Sequence, residues 1–283
     1  MRLLVTGANG MLGHRVVTDA RTRGWEVVGV DLPDGDLTDA EVAMDLVQQH
    51  GPEAVVHCAA FVDVDGAEEK EDLALAVNAD ASANVAAAAA SVGARVVAVS
   101  TDYVFDGTLT GRPYVESDPT APIGAYGRTK LAGEQALAGH NDNHAIARTA
   151  WLFGVGGKNF LDTMLRLGES RDAVAVVTDQ VGSPTYTGHL SSALLDLAAI
   201  DATGVFHTAG GGQCSWHELT VELYRQAGVT ARVDETTAAE FARPAPRPAW
   251  SVLASERDET PRLPPWQDGV AAYLNDRKNG DGS

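Results

Sequence analysis

The sequence predicts an α/β protein, a doubly wound parallel sheet with a smaller C-terminal substrate-binding lobe. Three observations lead there. Short apolar runs alternate with helical stretches over residues 1–150. The runs are unbroken rather than alternating, as in strands covered on both faces. A glycine-rich turn joins the first run to the first helical stretch. With 283 residues and 45% hydrophobic content, the chain can bury one large core and carry a second lobe.

In order, strands are expected at Arg2–Val5, Trp25–Val30, Ala54–His57, Ala94–Val99 and His144–Arg148. Between them lie helical stretches to about Arg23, from Thr38 to His50, from Leu73 to Val92, and from Tyr126 to Leu137. Thr38 reads as an N-cap because Glu41 follows three residues later. After Trp151 the rhythm changes. Helices are expected at Asn159–Gly168, His189–Ala199 and Trp216–Gln226, and strands at Val174–Val177 and Val205–Thr208. Arg243–Pro248 is too proline-rich for a helix interior, and the tail from Asn275 is expected to fray. The expected division is residues 1–150 plus about 174–212 in the nucleotide domain, and about 151–173 plus 213–283 in the substrate lobe.

Charge narrows the function classes. A net charge of −18 repels phosphate backbones and acidic membranes, so neither nucleic acid nor a membrane is an expected partner. An anionic substrate needs a local basic pocket. The two cysteines, Cys58 and Cys214, are far apart, so neither a disulfide framework nor a cysteine zinc site is expected. No window approaches 18 uninterrupted apolar residues and no cleavage-type leader is visible, which predicts a cytoplasmic protein.

Gly7, Gly10 and Gly13 form G-x-x-G-x-x-G between the first strand and the first helix. Such glycines let the backbone at Asn9, Met11 and Leu12 approach a pyrophosphate, and the helix N-terminus adds donors and a positive dipole. This is a Rossmann-type dinucleotide site. Asp31 closes the second strand, where an acid accepts hydrogen bonds from the adenosine ribose. Asp34 and Asp36 follow, with no Lys or Arg between Val30 and Met44. A ribose 2′-phosphate would meet carboxylates there, so NAD(H) is the expected cofactor and NADP(H) stays open. Tyr126 and Lys130 are one helical turn apart on one face. An ammonium beside a phenol favours the phenolate and should bring the tyrosine pKa down toward working pH.

The glycine spacing, the acid after the second strand and Y-x-x-x-K together resemble the extended short-chain dehydrogenase/reductases. Ser100-Thr101-Asp102-Tyr103-Val104-Phe105-Asp106-Gly107 narrows this to a resemblance to the dTDP-4-dehydrorhamnose reductase family. Asp36-Leu37-Thr38, Ala59 to Glu68, Tyr126 to Glu134, Arg148 to Trp151, Asn159-Phe160, Asp179 to Thr185, Arg247 to Leu253 and Pro265-Trp266 match it in order along the chain. The resemblance implies reduction of the 4-keto group of a nucleotide-diphosphate 6-deoxyhexose. Thr101 would hold the ketone oxygen, Tyr126 would donate the proton, and Lys130 would bind the nicotinamide ribose. Asp36 and Leu37 would border the adenine, and Ala59 and Ala60 would run along the cofactor. Val62, Val64, Tyr103 and Trp151 would line the hexose pocket. Asn159, Arg243 and Arg247 are candidates for the diphosphate.

Departures qualify this picture. His14 stands where some relatives carry a glutamate linked to a dimer-bridging magnesium, so no metal is expected, and a homodimer stays open. His57-Cys58 replaces the usual Asn-Ala, and Val62 removes a hydroxyl near the sugar, which leaves the sugar's configuration open. Two other readings stand beside the reductase. One is an epimerase or dehydratase of the same superfamily; dehydratases pair an Asp-Glu with the active-site threonine, whereas Tyr103 follows Asp102 here. The other is a non-catalytic subunit like the methionine adenosyltransferase β subunit, against which intact Thr101, Tyr126 and Lys130 argue.

Overall fold

A computed structural model describes residues 1–241 and 243–280. The first half runs β1 (Arg2–Thr6), α1 (Met11–Thr22), β2 (Glu26–Val30), α2 (Ala40–His50), β3 (Ala54–His57), α3 (Val64–Glu69), α4 (Glu71–Leu75), α5 (Ala81–Ser91), β4 (Arg95–Thr101), α6 (Ala125–His140) and β5 (His144–Thr149). The second half runs β6 (Leu152–Phe153), α7 (Phe160–Ser170), β7 (Ala173–Val177), β8 (Val181–Gly182), β9 (Thr185–Tyr186), α8 (Thr187–Ala199), β10 (Gly204–His207), β11 (Cys214–Ser215), α9 (Trp216–Ala227), β12 (Arg232–Thr236) and α10 (Trp266–Gly280).

Six parallel strands form the main sheet in the order β10-β5-β4-β3-β1-β2, the architecture expected from the apolar runs. Buried side chains of α1 and α8, such as Val16, Leu190 and Leu194, pack on one face. Val47 of α2, Val85 and Ala89 of α5 and Leu137 of α6 pack on the other. A separate core, built on Leu161, Leu219, Leu223, Val270 and Tyr273, holds α7, α9 and α10 together.

Several local expectations change. The cap of α2 is Asp39, whose carboxylate accepts from the backbone N–H of Glu41 at 2.9 Å; Thr38 instead donates its hydroxyl to Asp36 at 2.8 Å. A charged acceptor one residue nearer the helix wins the orphan N–H groups. The expected helix from Leu73 to Val92 is interrupted by a π-helical turn at Ala76–Asp80, which turns Asn78 inward. Glu71–Ser91 as a whole is long and apolar enough by composition to cross a membrane; here half of its apolar window is buried, with α5 packed against α2 and α6. The strand at Val174–Val177 does form, as β7, but it pairs with β12 in the smaller core rather than with the main sheet. Instead of fraying, the tail from Asn275 continues α10 to Gly280; Tyr273 donates to Asp162 at 2.5 Å and Asp276 pairs with Arg15 at 2.5 Å. Residues 281–283 of the expected tail lie outside the described residues.

Candidate active site

Strand order reverses at β1, with β2 on one side and β3 on the other. Chain connections diverge at such a point and leave a crevice beyond the strands' C-terminal ends. A cavity of about 1050 Å³ opens there. That is at the top of the roughly 300–1,000 Å³ range of ligand pockets.

One end of the cavity is lined by Gly7, Asn9, Gly10, Met11, Leu12, Gly13, Asp31, Asp36, Leu37, Ala59 and Ala60, all expected from the sequence. Gly7 has φ +66°, and a Cβ on it would lie 2.7 Å from the Ala59 nitrogen; a Cβ on Gly13 would collide with the Gly7 carbonyl oxygen. Here the glycines let β1, α1 and the chain after β3 converge, leaving a bare backbone cradle at the N-terminus of α1. That cradle suits a dinucleotide pyrophosphate. The Asp31 carboxylate accepts from the backbone N–H groups of Asn9 and Leu32, both at 2.8 Å, which fixes it beside the glycine loop. Asp36 accepts from the Thr38 N–H at 3.0 Å, and these Thr38 contacts hold its carboxyl below the usual carboxylate range.

At the other end stand Thr101, Tyr126 and Lys130. Thr101 is the last residue of β4. Tyr126 and Lys130 lie on the first turns of α6, facing the sheet. α6 can approach because Gly127 has no side chain; a Cβ there would collide with the Tyr103 carbonyl oxygen. The Lys130 ammonium is buried and donates to the Val99 carbonyl at 2.8 Å. One turn further on, Glu134 accepts from Arg148 at 2.9 and 2.6 Å and from the Ser100 hydroxyl, all of them buried. Asn78 is also buried: it accepts from the Phe61 N–H at 2.8 Å and donates to Thr129 at 3.0 Å, binding the chain after β3 to α6.

The electrostatics differ from expectation in one respect. Burial pushes the Tyr126 phenol up to about 12, Asp102 adds to this, and a hydrogen bond with Thr101 pulls it back. The expected fall driven by Lys130 is not found: burial raises the phenol instead, and the ammonium donates to the Val99 carbonyl. Burial instead lowers Lys130 to about 8, against the opposing pull of Glu134 and Cys58. Burial also raises Asp102 to about 6, against hydrogen bonds from Ser251 and Thr101, and one of its carboxylate oxygens has no protein partner. His57, which bonds Thr6 at 2.7 Å, is pushed down to about 3 by burial and then by Lys130, so its ring is neutral.

Val62, Val64, Tyr103 and Trp151 form the remaining wall, as expected. Tyr103 meets Tyr126 edge-on with centroids 5.5 Å apart. Trp151 has φ +48°, a left-handed conformation that costs a non-glycine residue about 1–3 kcal/mol and is typical of functional sites. Its indole stacks on Trp216 at 3.5 Å and 3°, so one face of the expected sugar platform is already covered. Trp216, Asp102 and Lys158 line the cavity without having been anticipated. Trp216 had a signal, since Ser215 and Glu218 form a capping box that puts it at the first position of α9.

The three diphosphate candidates do not reach the cavity wall. The Asn159 side chain is consumed in capping α7 at Asp162 and in donating to Gly154 and Gly157 at 2.9 and 3.2 Å. Arg247 and Arg243 both turn to Asp65, at 3.0 and 3.6 Å.

The strand order, glycine cradle and crevice define the Rossmann-type reductase class. Within that class, the chain belongs to the family described as the RmlD substrate binding domain, which it matches over residues 1–279. It is 42% identical over 282 residues to the dTDP-4-dehydrorhamnose reductase of Mycobacterium tuberculosis, covering 96% of this chain and 92% of that one. Among solved structures, the dTDP-4-dehydrorhamnose reductase of Clostridium acetobutylicum superposes with a TM-score of 0.95 at 40% identity, covering 98% of this chain and all of that one. The Bacillus anthracis dTDP-4-dehydrorhamnose reductase, in complex with NADP, gives 0.93 at 36% identity, covering 97% and 99%.

Proposed function

We propose that this protein reduces the 4-keto group of a dTDP-linked 6-deoxyhexose with a reduced nicotinamide dinucleotide, dTDP-4-dehydrorhamnose being the first candidate substrate. The observation that carries this is the gathering of Thr101, Tyr126 and Lys130 at one end of a single cavity whose other end is the glycine cradle. The family of reductases to which the chain belongs points to the same chemistry.

A nicotinamide dinucleotide held on the glycine cradle of Gly7, Gly10 and Gly13 would supply the hydride for carbon 4 of the sugar. Thr101 and Tyr126 place two hydroxyls at the ketone oxygen and stabilise the charge that grows on it. Tyr126 then transfers its phenolic proton to that oxygen, leaving a phenolate. Lys130, charged below about pH 8 and one turn from Tyr126, is the cation available to the nicotinamide ribose. Burial keeps the phenol protonated before the reaction, as a proton donor must be. Trp151, propped by Trp216, and Tyr103 give the deoxyhexose an apolar wall. Asp31 and Asp36 line the cavity, and no Lys or Arg lies between Val30 and Met44 of the sequence, which favours NADH over NADPH.

The test is to supply dTDP-4-dehydrorhamnose with NADH or NADPH and follow dihydronicotinamide absorbance. One cofactor oxidised per sugar, with the lower KM for NADH, is the expected result. Turnover without net oxidation would make it an epimerase, and no turnover on any nucleotide ketosugar would leave the subunit reading. A much lower KM for NADPH would overturn the cofactor preference alone.

A further inference from the structure

The crevice lacks the positive charge its ligand calls for. A dinucleotide brings two phosphate charges to a chain of net charge −18. The N-terminus of α1 offers backbone donors and a dipole, with no acidic residue in its first turn, but no cationic side chain. Asp31, Asp36 and Asp102 line the same cavity. Of the two lysines that line it, Lys130 is buried on the Val99 carbonyl at the far end. The other is Lys158. Its side chain is exposed, and no carboxylate of the described residues pairs with it.

Lys158 sits on the turn between β6 and α7, which crosses from the smaller core to the glycine loop. Gly157 packs so closely on Met11, the first residue of α1, that a Cβ there would come within 2.8 Å of the Met11 Cβ. Asn159 holds the turn in that position by donating to the carbonyls of Gly154 and Gly157. Lys158, which lines the same cavity as Gly10, Met11 and Leu12, thus follows directly on a residue packed against the start of α1. Resting on the dinucleotide reading above, we infer that Lys158 binds the pyrophosphate of the cofactor, adding a cation to the backbone donors of the helix N-terminus. Asn159 acts there as the positioning residue for the turn rather than as a diphosphate ligand.

The test is direct binding without a sugar substrate, read from NADH fluorescence on the full chain. Lys158→Ala should weaken NADH binding roughly tenfold, the lower end expected for one charge-assisted hydrogen bond. Lys158→Arg should restore most of it, and the salt dependence of binding should flatten in the alanine variant. The dissociation constant of ADP-ribose itself, which keeps the pyrophosphate, should rise by the same factor, whereas that of adenosine should be the same for both proteins. Unchanged NADH and ADP-ribose binding in Lys158→Ala overturns the assignment, as does an equal loss for adenosine. Unchanged NADH binding with a raised KM for the nucleotide sugar also overturns it, by giving the lysine to the substrate's diphosphate. If the unmodified protein binds neither NADH nor NADPH, the dinucleotide reading itself fails.

Discussion

Beneath Tyr126 the crevice floor is tied down by buried polar contacts, whereas the wall around Trp151 is held by stacking and by partly exposed ion pairs. On the floor, Glu134 joins Arg148 and Ser100, and Asn78 joins Phe61 to Thr129. These groups sit on β4, β5, α6 and the π-helical turn, so regular structure fixes them to within the tolerance that proton transfer demands. The wall has no such foundation. Its indole pair rests on one strained residue and the first turn of α9, and the 243–248 loop, outside the cavity lining, hangs on Asp65. The contrast suggests a division of labour, with the floor setting the reaction and the wall setting which sugar is accepted.

Tyr126→Phe should break the floor's chemistry most severely. Loss of a positioned proton donor should lower kcat by roughly 10²–10⁴-fold. NADH affinity, read by fluorescence, should stay within about twofold. Retained turnover would remove Tyr126 from the assigned role.

Arg148→Met leaves the Glu134 carboxylate buried without its partner. Unfolding in urea should show a loss of about 3–5 kcal/mol, the cost of breaking a buried pair from one side. A loss below about 1 kcal/mol would mean that the floor is no better braced than the wall.

The floor should also impose a pH limit. Lys130 is cationic below about pH 8 and neutral above it. As pH rises through that value, kcat/KM, which reports the free protein's groups, should fall by up to tenfold per unit. A flat profile to pH 9.5 would detach catalysis from the Lys130 charge.

Changes in the wall should be milder and should show in KM. Trp216→Leu removes the stacking partner of Trp151, worth about 0.5–1.5 kcal/mol beyond its buried area. KM for the nucleotide sugar should rise severalfold while kcat stays within about twofold; a collapse of kcat would place Trp216 in the chemistry. Smallest of all, Asp65→Asn releases Arg243 and Arg247 from a partly exposed pair and should cost less than about 1 kcal/mol of stability. A loss above 3 kcal/mol would show that the loop is braced as firmly as the floor.

The floor was the more legible region in the sequence, for a physical reason. Helical periodicity alone puts Tyr126 and Lys130 on one face, and the glycine spacing alone implies a cradle. Both signals are local. The braces beneath them are not: nothing near Glu134 names Arg148, and nothing near Asn78 names Phe61 or Thr129. The same limit applies to β7, whose own residues read as a strand but do not say that β12 is the partner. It applies to Trp151 as well, since its place on the cavity wall could be guessed from the motif, but not its cover by Trp216. Asn159 and Arg247 were the right kinds of residue for a diphosphate, yet nearer polar groups, Asp162 and Asp65, had already engaged them. Lys158 carried no pattern at all; only the approach of Gly157 to Met11 brings it to the crevice.

The most direct test of the reaction is label transfer. The protein would be given dTDP-4-dehydrorhamnose and a nicotinamide dinucleotide carrying deuterium at the reduced ring carbon, and the sugar product examined by proton NMR and mass spectrometry. One deuterium at carbon 4 of the deoxyhexose, with one oxidised cofactor per sugar, is the expected result. An unlabelled carbon 4, or label on any other carbon, would contradict hydride delivery to the oxygen-bearing carbon held by Thr101 and Tyr126.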